Sequence, residues 1–368
     1  MVEWKKLGEV CEVLRGKRLT KSQLNETEGY PVLHGGSTPM GYYSDYNRKA
    51  NTTVVVNTGN AGSVFFYDKE FWSSDACFSL YPNKGIIDKY LYLYVYGCEK
   101  ILKGKIRAGA MPTIDANTVA SLIIPIPSLS EQQRIVDILD TFTASIDNIK
   151  AQIEQRRKQY EHYRNTLLTF HKDDDSVEWK TLEDIFELRN GYTPSKANSE
   201  FWTDGTIPWF RMEDIRDKGR ILSDSYLHIT ESAIKGKGLF KANSFILATT
   251  ATIGEHALLI ADSLANQQFT NLKIRKSLIN NIDIKFMFYY MFVVDEFCKS
   301  HTNVSGFASV DMNALKRMAI PIPSLARQQE IVSILDTFEA SITNLEAQLE
   351  QRQKQYEYYR EELLTNLS

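Results

Sequence analysis

Apolar positions recur at alternating steps of four and three residues along two segments of this chain, which begin near residues 128 and 324. Such steps place apolar side chains on one face of an α-helix, and neither Gly nor Pro interrupts residues 128–170. The prolines of the preceding IPIPSL exclude helix, and Ser128 or Ser324 can cap the helix that begins after it. We therefore predict two long helices of ~60 Å each. The predicted seam residues are Ile135, Leu139, Phe142, Ile146, Ile149 and Ile153 in the first helix and Ile331, Leu335, Phe338, Ile342, Leu345 and Leu349 in the second.

The two helices belong to a long internal repeat. Residues 124–169 and 320–365 align without a gap at an offset of 196, with 33 of 46 positions identical. A second match, at an offset of 175, places VEWKKLGEV at residue 2 over VEWKTLEDI at residue 177. Between these matches the polar residues diverge, but an offset of 192 places Gly62 on Gly254 and an offset of 196 places Asp115 on Asp311. The chain is therefore predicted to repeat one module on one scaffold with two different surfaces.

A stripe of two apolar positions per heptad needs a matching stripe, and the second copy supplies one. We predict that the two helices form an antiparallel coiled coil, with a globular α+β module at each end and an internal two-fold axis. The alternative is that each helix packs on its own module. Arg156 and Arg352 interrupt the seam at equivalent places, where they fix register, meet a partner's carboxylate or lie in solvent.

Composition favours a soluble, cytoplasmic protein. The chain has 368 residues with 43% hydrophobic and 24% charged residues, and its four cysteines have no metal-ligand spacing. The start lacks the apolar core of a signal peptide, and the longest apolar run, at 286–294, is too short to cross a membrane. The acidic excess lies in the helices, since residues 324–368 carry 4 Lys/Arg against 8 Asp/Glu, whereas residues 1–127 carry 15 against 12.

Candidate catalytic chemistry is missing from the sequence. No phosphate-binding loop, zinc-protease motif or nucleophile elbow is present, nor the Asn/Asp-Pro-Pro-aromatic motif of amino-methyltransferases. The GNAG at 59–62 and the TATIG at 250–254 are typical of hairpin turns. We therefore expect no enzymatic activity, no metal and no cofactor in this chain. A two-fold protein with two different surfaces suits duplex DNA, on which half-sites one turn apart lie ~34 Å from each other.

The chain resembles the specificity (S) subunits of type I restriction-modification systems. The resemblance is carried by IPIPSLSEQQRIVDILD (124–140), IPIPSLARQQEIVSILD (320–336) and the opening W-x-x-L-x-x-[VI] at Trp4 and Trp179. GYTPSKANSEFWTDGTIPWFRMEDI (191–215) and ANQQFTNL (265–272) add to it. It implies target recognition domains at 1–127 and 177–323, called module 1 and module 2 below. It also implies spacer helices at 128–176, with a linker, and at 324–368.

The resemblance implies the partners as well. Such a subunit reads a bipartite double-stranded DNA site, and its two recognition domains belong here to different subtypes, so an asymmetric site is expected. Two methyltransferase (M) subunits bind the S subunit, hold S-adenosylmethionine and methylate one adenine in each half-site. Motor-nuclease (R) subunits join with ATP and Mg. Two rivals stay open: a non-catalytic dumbbell scaffold that spaces two protein partners, and a self-contained modification enzyme.

Polar residues in predicted loops are the candidate DNA contacts, because Arg and Lys pair with guanine and Asn and Gln with adenine. In module 1 they are Lys17, Arg18, His34, Ser37, Thr38, Asn57, Thr58, Asn60 and Arg107. In module 2 they are Tyr192, Lys196, Arg211, Asp214, Arg216, Thr250, Asn266, Gln267 and Gln268. The glutamine pairs Gln132–Gln133 and Gln328–Gln329 cap helices or dock M subunits, and we favour docking because both copies retain them.

Overall fold

The computed structural model describes residues 2–36, 38–107, 109, 111–303 and 308–365. It divides into two compact units, unit 1 with Met1–Ile153 and Leu345–Ser368 and unit 2 with Glu154–Asn344. Each unit therefore contains one module and parts of both long helices. The predicted helices are confirmed.

In chain order, the strands of module 1 are β1 (Glu3–Lys6), β2 (Cys11–Arg15), β3 (Tyr30–Leu33), β4 (Tyr42–Tyr43), β5 (Thr52–Val56), β6 (Val64–Tyr67), β7 (Trp72–Ser73), β8 (Cys77–Pro82) and β9 (Ile123–Ile126). The helices are α1 (Leu7–Val10), α2 (Asp88–Gly97), α3 (Glu99–Gly104), α4 (Ala116–Ala120) and the long α5 (Leu129–Leu167). A sheet of order β2-β8-β5-β6 lies beside a small sheet of order β4-β3-β7, and β1 pairs with β9.

The strands of module 2 are β10 (Glu178–Thr181), β11 (Phe186–Asn190), β12 (Ile207–Phe210), β13 (Ile221–Leu222), β14 (His228–Ile229), β15 (Ser244–Ala248), β16 (His256–Leu259), β17 (Leu264–Ala265), β18 (Phe269–Ile274), β19 (Thr302–Asn303), β20 (Ser309–Val310) and β21 (Ala319–Ile322). The helices are α6 (Leu182–Ile185), α7 (Met212–Lys218), α8 (Ile284–Ser300), α9 (Met312–Arg317) and the long α10 (Leu325–Thr365). The sheets run β11-β18-β15-β16-β13 and β14-β12-β17, and β10 pairs with β21.

The two modules therefore share one topology, to which module 2 adds, within the described residues, α7, β13 and the paired strands β19 and β20. The shared register confirms the predicted repeat: Trp4 pairs with Pro125 in module 1, and Trp179 pairs with Pro321 in module 2. The offset of 196 is confirmed by Asp115 and Asp311, which cap α4 and α9.

The central strand of each main sheet is buried along its whole length, as expected for a strand covered on both faces. In β5, Val55 lies in the core formed with α2, whereas Val54 lies in the core against the small sheet. In β15, Phe245 and Ile246 divide in the same way between two cores. Alternation along the strand thus joins the two layers of each module.

The long helices pack antiparallel within each unit. In unit 1 the ring of Phe142, early in α5, stacks on Tyr359, late in α10, with centroids 5.2 Å apart. In unit 2 Phe338, early in α10, stacks on Tyr163, late in α5, at the same 5.2 Å. Each early helix segment therefore meets the late segment of the other helix. The predicted helix–helix seam is present at these positions.

Four seam residues lie elsewhere than predicted. Ile135 and Leu139 are buried in the core of module 1, and Ile331 and Leu335 are buried in the core of module 2. The alternative that a helix packs on its own module thus holds for the first turns. Of the other eight seam residues, the half-buried ones are Phe142, Phe338, Ile342, Leu345 and Leu349, and the buried ones are Ile146, Ile149 and Ile153.

The two arginines in the seam have equivalent environments. The Arg352 guanidinium carbon lies 5.5 Å from the ring centre of Phe142, and that of Arg156 lies 5.8 Å from the ring centre of Phe338. Each cation therefore covers an aromatic ring of the facing helix, a favourable electrostatic contact. Of the three roles considered for these residues, this contact supports fixing the register between the helices.

Candidate functional site

Segments distant in sequence meet beyond the carboxyl ends of β2, β3 and β5 in module 1. The Lys17 amide donates to the Ser73 carbonyl at 2.9 Å, which joins the segment after β2 to β7. His34 Nδ1, after β3, lies 2.8 Å from the Ser74 hydroxyl oxygen. Hydrogen bonds thus bring two predicted contacts to one loop, at 73–76.

The turn after β5 joins the same group. The Asn57 side-chain amide donates to the Asp75 carbonyl at 3.0 Å, and Thr58 forms an isolated β-bridge with Thr113. We call residues 16–18, 34–36, 57–60, 73–76 and 111–113 loop cluster 1.

Most predicted contacts of module 1 reach solvent. The exposed ones are Lys17, Arg18, His34, Thr38, Asn60 and Arg107. Thr58 is half-buried, and Ser37 lies outside the described residues. Loop cluster 1 therefore presents cations and hydrogen-bonding groups together.

Asn57 does not fit its predicted role. It is 3% exposed, its amide nitrogen donates to Asp75, and its side-chain oxygen accepts a hydrogen bond from the Thr58 hydroxyl. Both ends of the Asn57 amide are therefore used to hold the turn. The structure gives Asn57 this internal role instead of the predicted contact with a base.

Arg107 has a partner inside the chain but remains accessible. Its Nη2 lies 2.6 Å from Asp115 Oδ2, while 75% of its side chain is exposed. The Thr118 backbone amide and hydroxyl both donate to Asp115 and lower the pKa of its carboxyl, with Arg107 adding to the effect. The carboxylate therefore stays charged near neutral pH and orients the guanidinium. An exposed ion pair of this kind is weak, so Arg107 can exchange it for a ligand.

Module 2 builds the matching site at equivalent positions. The Tyr192 amide donates to the Ala265 carbonyl and the Asn266 amide to the Phe210 carbonyl, at 2.9 and 3.1 Å. The turn between β15 and β16 joins them, since the Thr249 amide donates to the Gln268 carbonyl at 2.9 Å. We call residues 191–193, 211, 249–255, 265–268 and 308–309 loop cluster 2. The equivalence of the two turns confirms the offset of 192.

The predicted contacts of module 2 differ in exposure. Lys196, Arg216 and Gln267 are exposed, and Arg211, Thr250, Asn266 and Gln268 are half-buried. Gln267 accepts a hydrogen bond from the Thr193 hydroxyl at 2.5 Å, and Arg211 pairs with Glu213 at 2.6 Å.

Two residues of module 2 are structural. Asp214 is 0% exposed, and its carboxylate accepts hydrogen bonds from the backbone amides of Arg211 and Tyr226, both at 2.8 Å. The Tyr192 hydroxyl donates to the Ala233 carbonyl at 3.1 Å and accepts from the Lys235 amide at 2.8 Å. Asp214 therefore holds the start of α7, and Tyr192 holds a loop. Their predicted base contacts are corrected on these grounds.

A tryptophan fixes the same carbonyl in both clusters. In module 1, Trp72 Nε1 on β7 donates to the Lys17 carbonyl at 2.7 Å. In module 2, Trp209 Nε1 donates to the Tyr192 carbonyl at 3.0 Å, and Trp209 lies on β12, which pairs with β17, the counterpart of β7. The modules thus hold equivalent backbone atoms with donors from different strands. This shared geometry allows the side chains on it to differ.

The sequence reasoning missed the loop between β7 and β8. Ser74 and Asp75 lie there, at the positions that Asn266 and Gln267 occupy in module 2. Carrying the offset of 192 back from the second module finds them. Met111, which belongs to loop cluster 1 and is 67% exposed, was also missed, and no sequence pattern marks it.

The two glutamines of each pair have different environments. Gln132 and Gln328 are 0% exposed. Gln132 Oε1 accepts from the Ile87 amide at 2.9 Å, and Gln328 Oε1 accepts from the Asp283 amide at 2.8 Å, each at the residue before a helix. Gln132 and Gln328 therefore stabilise their own modules, which replaces the docking role predicted for them. Gln133 and Gln329, in contrast, are exposed.

Within the described ranges, His, Cys, Asp and Glu form no group able to hold a metal ion. Cys11, Cys77, Cys98 and Cys298 are free thiols and buried. Burial raises the pKa of Cys77 to about 11 and that of Cys98 to about 11, so neither is a ready nucleophile. None of the helices in the described part of the chain has the length and apolarity needed to cross a membrane.

Known proteins share this repeated arrangement. The family model described as the type I restriction modification DNA specificity domain matches residues 1–156 and 175–354. The chain belongs to this family. It is 32% identical over 388 residues to the EcoR124I/EcoR124II specificity subunit of Escherichia coli, covering 99% of this chain and 94% of that one.

A second relative in this specificity family matches more closely over a shorter length. The Escherichia coli EcoprrI specificity subunit is 51% identical over 204 residues, which is 52% of this chain and 51% of the relative. Among solved structures, the S subunit from M. genitalium covers 100% of this chain and 97% of its own, with a TM-score of 0.59 and 16% identity. In a solved structure of the type I R-M system, the match covers 100% of this chain and 98% of the solved chain, with a TM-score of 0.68 and 16% identity. These structures support the fold.

Proposed function

We propose that the chain is the DNA-specificity subunit of a type I restriction-modification complex. It reads one half-site with loop cluster 1 and the other with loop cluster 2. One observation carries this proposal: equivalent backbone positions bear different polar side chains. His34 corresponds to Arg211, and Asp75 corresponds to Gln267. A shared scaffold with different side chains suits two different half-sites, hence an asymmetric site.

The exposed groups suit base edges and phosphates. The Arg107 and Arg216 guanidinium groups match the two acceptors of guanine in the major groove. The Asn60 and Gln267 amides match adenine. Lys17 and Arg18 suit phosphates, which position a protein without reading sequence. The half-buried Thr58, Arg211, Thr250, Asn266 and Gln268 are kept as proposed contacts, together with His34, Ser37, Thr38 and Lys196. The two long helices set the distance between the two readouts.

The repeated helix starts suit two identical partners. Leu129 is 54% exposed and Leu325 is 41% exposed, and each precedes an exposed glutamine, Gln133 or Gln329, by one turn. An exposed leucine beside an amide is a small apolar patch with a polar edge, as protein interfaces have. We propose that each patch docks one M subunit.

The chain itself transfers no methyl group in this proposal. The M subunits hold S-adenosylmethionine and methylate N6 of one adenine in each half-site, and R subunits add the ATP- and Mg-dependent motor and nuclease. The complex acts on chromosomal DNA in the cytoplasm.

The test is sequencing for methylated adenine in cells that carry the chain with its M subunit and in cells that lack the chain. A bipartite, asymmetric motif that disappears with the chain supports the proposal. Exchanging residues 1–127 for another recognition module should then change one half of the motif only. If no motif depends on the chain while it still binds two proteins, the chain is a scaffold. The absence of salt-dependent binding to any DNA would point the same way, because phosphate contacts weaken steeply with salt.

A further inference from the structure

We propose that one acidic side chain in each module, Glu99 in module 1 and Asp295 in module 2, positions the recognition turn of its module. The recognition turns are residues 57–63 and 249–255. This inference rests on the proposed function, and it assigns to these acids a role in reading DNA without touching it.

In module 1, Glu99 holds the strand that comes after the turn. Its Oε1 accepts a hydrogen bond from the Val64 amide at 2.7 Å, and Val64 is the first residue of β6. Strand β6 is the edge of its sheet, so this amide points away from β5 and needs a partner. The other oxygen, Oε2, accepts from Lys103 Nζ at 2.6 Å. Both oxygens of the carboxylate are thereby fixed.

The same turn rests on α3. Gly62 has a φ of +83°, and a side chain there would come within 3.1 Å of the Lys103 backbone nitrogen. The turn is therefore held at two points. Gly62 packs closely on α3, which we call the seat, and the Val64 amide bonds the Glu99 carboxylate, which we call the anchor. Thr58 and Asn60 lie in the turn between β5 and Gly62. Their positions therefore depend on how the turn is held at Gly62 and Val64.

In module 2, Asp295 holds the equivalent strand by other chemistry. Its Oδ2 lies 2.7 Å from His256 Nδ1, and His256 is the first residue of β16. Burial lowers the pKa of His256, so the neutral ring donates its one proton from Nδ1 to the carboxylate. A side chain at Gly254, with a φ of +77°, would come within 2.5 Å of the Asp295 carbonyl oxygen. The seat and the anchor are thus repeated.

Asp295 also reaches a second recognition segment. Arg220 Nη1, between α7 and β13, donates to the His256 carbonyl at 3.0 Å and lies 3.3 Å from Asp295 Oδ2. The helix before Arg220 carries the exposed Arg216. One carboxylate on α8 therefore sets both the turn at 249–255 and the end of α7. Two apolar side chains could fill the same space, but they would not orient His256 and Arg220. Burying a carboxylate that is 2% exposed is costly unless it is bonded.

The two acids occupy matching places, since an offset of 196 takes Glu99 to Asp295 and an offset of 192 takes Val64 to His256. One module meets the acid with a backbone amide and the other with an imidazole. The geometry is kept while the donor changes, which points to a requirement on the position of the turn.

The experiment uses the complete complex of S and M subunits and measures methylation rates on duplexes with the cognate site or with one base changed in one half-site. Glu99→Leu should lower discrimination in the half-site read by module 1 by on the order of tenfold. The other half-site should keep its discrimination. Asp295→Leu should do the reverse. Glu99→Gln keeps an oxygen for the Val64 amide and should restore discrimination to near the original level.

Two further variants separate positioning from folding. Glu296→Leu is the matched control, because Glu296 neighbours Asp295 on α8 but its side chain is 73% exposed. It should leave both half-sites unchanged. If Glu99→Leu fails to assemble, Glu99→Asp keeps the charge with a shorter reach and should still lose discrimination in one half-site. Assembled Glu99 and Asp295 variants with unchanged discrimination would overturn this inference alone. A wild-type complex without a chain-dependent motif would overturn it together with the proposed function.

Discussion

Replacing Gln132 by Leu tests whether the glutamine pairs serve the fold or the partner. The change removes three hydrogen bonds: the one from the Ile87 amide at 2.9 Å and those to the Gly85 and Pro127 carbonyls at 2.9 and 3.0 Å. Gly85 is exposed, so water can satisfy its carbonyl, whereas Pro127 is buried and Ile87 is half-buried. Leaving these two groups unpaired costs about 1–3 kcal/mol each. We expect unit 1 to lose about 3 kcal/mol of stability.

The matched control is Gln133→Leu, one residue further along α5. Gln133 is exposed and bonds Asp137 of its own helix at 2.8 Å, so its loss should change stability by less than about 0.5 kcal/mol. It should instead weaken M-subunit binding. Gln328→Leu should repeat the effect of Gln132→Leu in unit 2, because Gln328 makes the same three bonds, to Asp283, Asn281 and Pro323.

Amide hydrogen exchange, measured peptide by peptide, is the suitable assay because one midpoint does not describe two compact units. The opening free energy of the peptide that contains Ile87 should fall in Gln132→Leu, and that of the peptide that contains Asp283 should not. Equal protection in Gln132→Leu and the wild type would refute the reasoning. So would a Gln133→Leu variant that is destabilised as much.

The remaining predictions concern the helix seam, a helix cap and the loop clusters. Phe142→Ala removes the ring that stacks on Tyr359, and it should destabilise unit 1 by about 2–3 kcal/mol in the same exchange assay, with unit 2 unchanged. Asp115→Ala should lower the stability of module 1 at pH 7, because it removes the cap of α4. Because the pKa of Asp115 is lowered in the folded chain, this difference should persist above the unfolded pKa and vanish as pH falls through the folded one in a denaturation series. Gly16→Ala should abolish reading of one half-site, measured by methylation of single-base variants, because the new methyl would meet the Ser74 carbonyl oxygen. Unchanged methylation specificity in Gly16→Ala would contradict the last expectation. The expectation for Asp115→Ala would be contradicted if the variant and the wild type had the same free energy of unfolding at every pH.

The helices and the repeat were predictable because both depend on local spacing. Ile135 and Phe142 lie on one helical face whatever that face covers. The neighbour of that face was not predictable, because the heptad steps are the same where α5 meets its own module, at Ile135, and where it meets α10, at Phe142. The pattern names the face of a helix, and tertiary packing chooses the neighbour.

The errors in the candidate site have a similar cause. Gln132 and Gln133 are adjacent in sequence but about 100° apart around a helix, and the loop that covers Gln132 comes from residues 85–87. Asn57 and Thr58 differ in the same way, since the loop at 75–76 covers only the first of them. Residue type identifies the polar groups of a loop cluster. Which of them are used internally depends on loops distant in sequence.

The core of unit 1 includes Leu364, which is 3% exposed and belongs to the same hydrophobic cluster as residues near the amino terminus such as Leu7. A ribosome makes the residues between Ile153 and Leu345, which belong to unit 2, before this segment, and at 5–20 residues per second that takes roughly 10–40 s. Until Leu364 has been made, the nascent first module displays uncovered apolar surface, whereas unit 2 can close as soon as Asn344 is available. Assembly of the chain is therefore expected to run in the reverse of its reading order, with the first-made recognition module completed last.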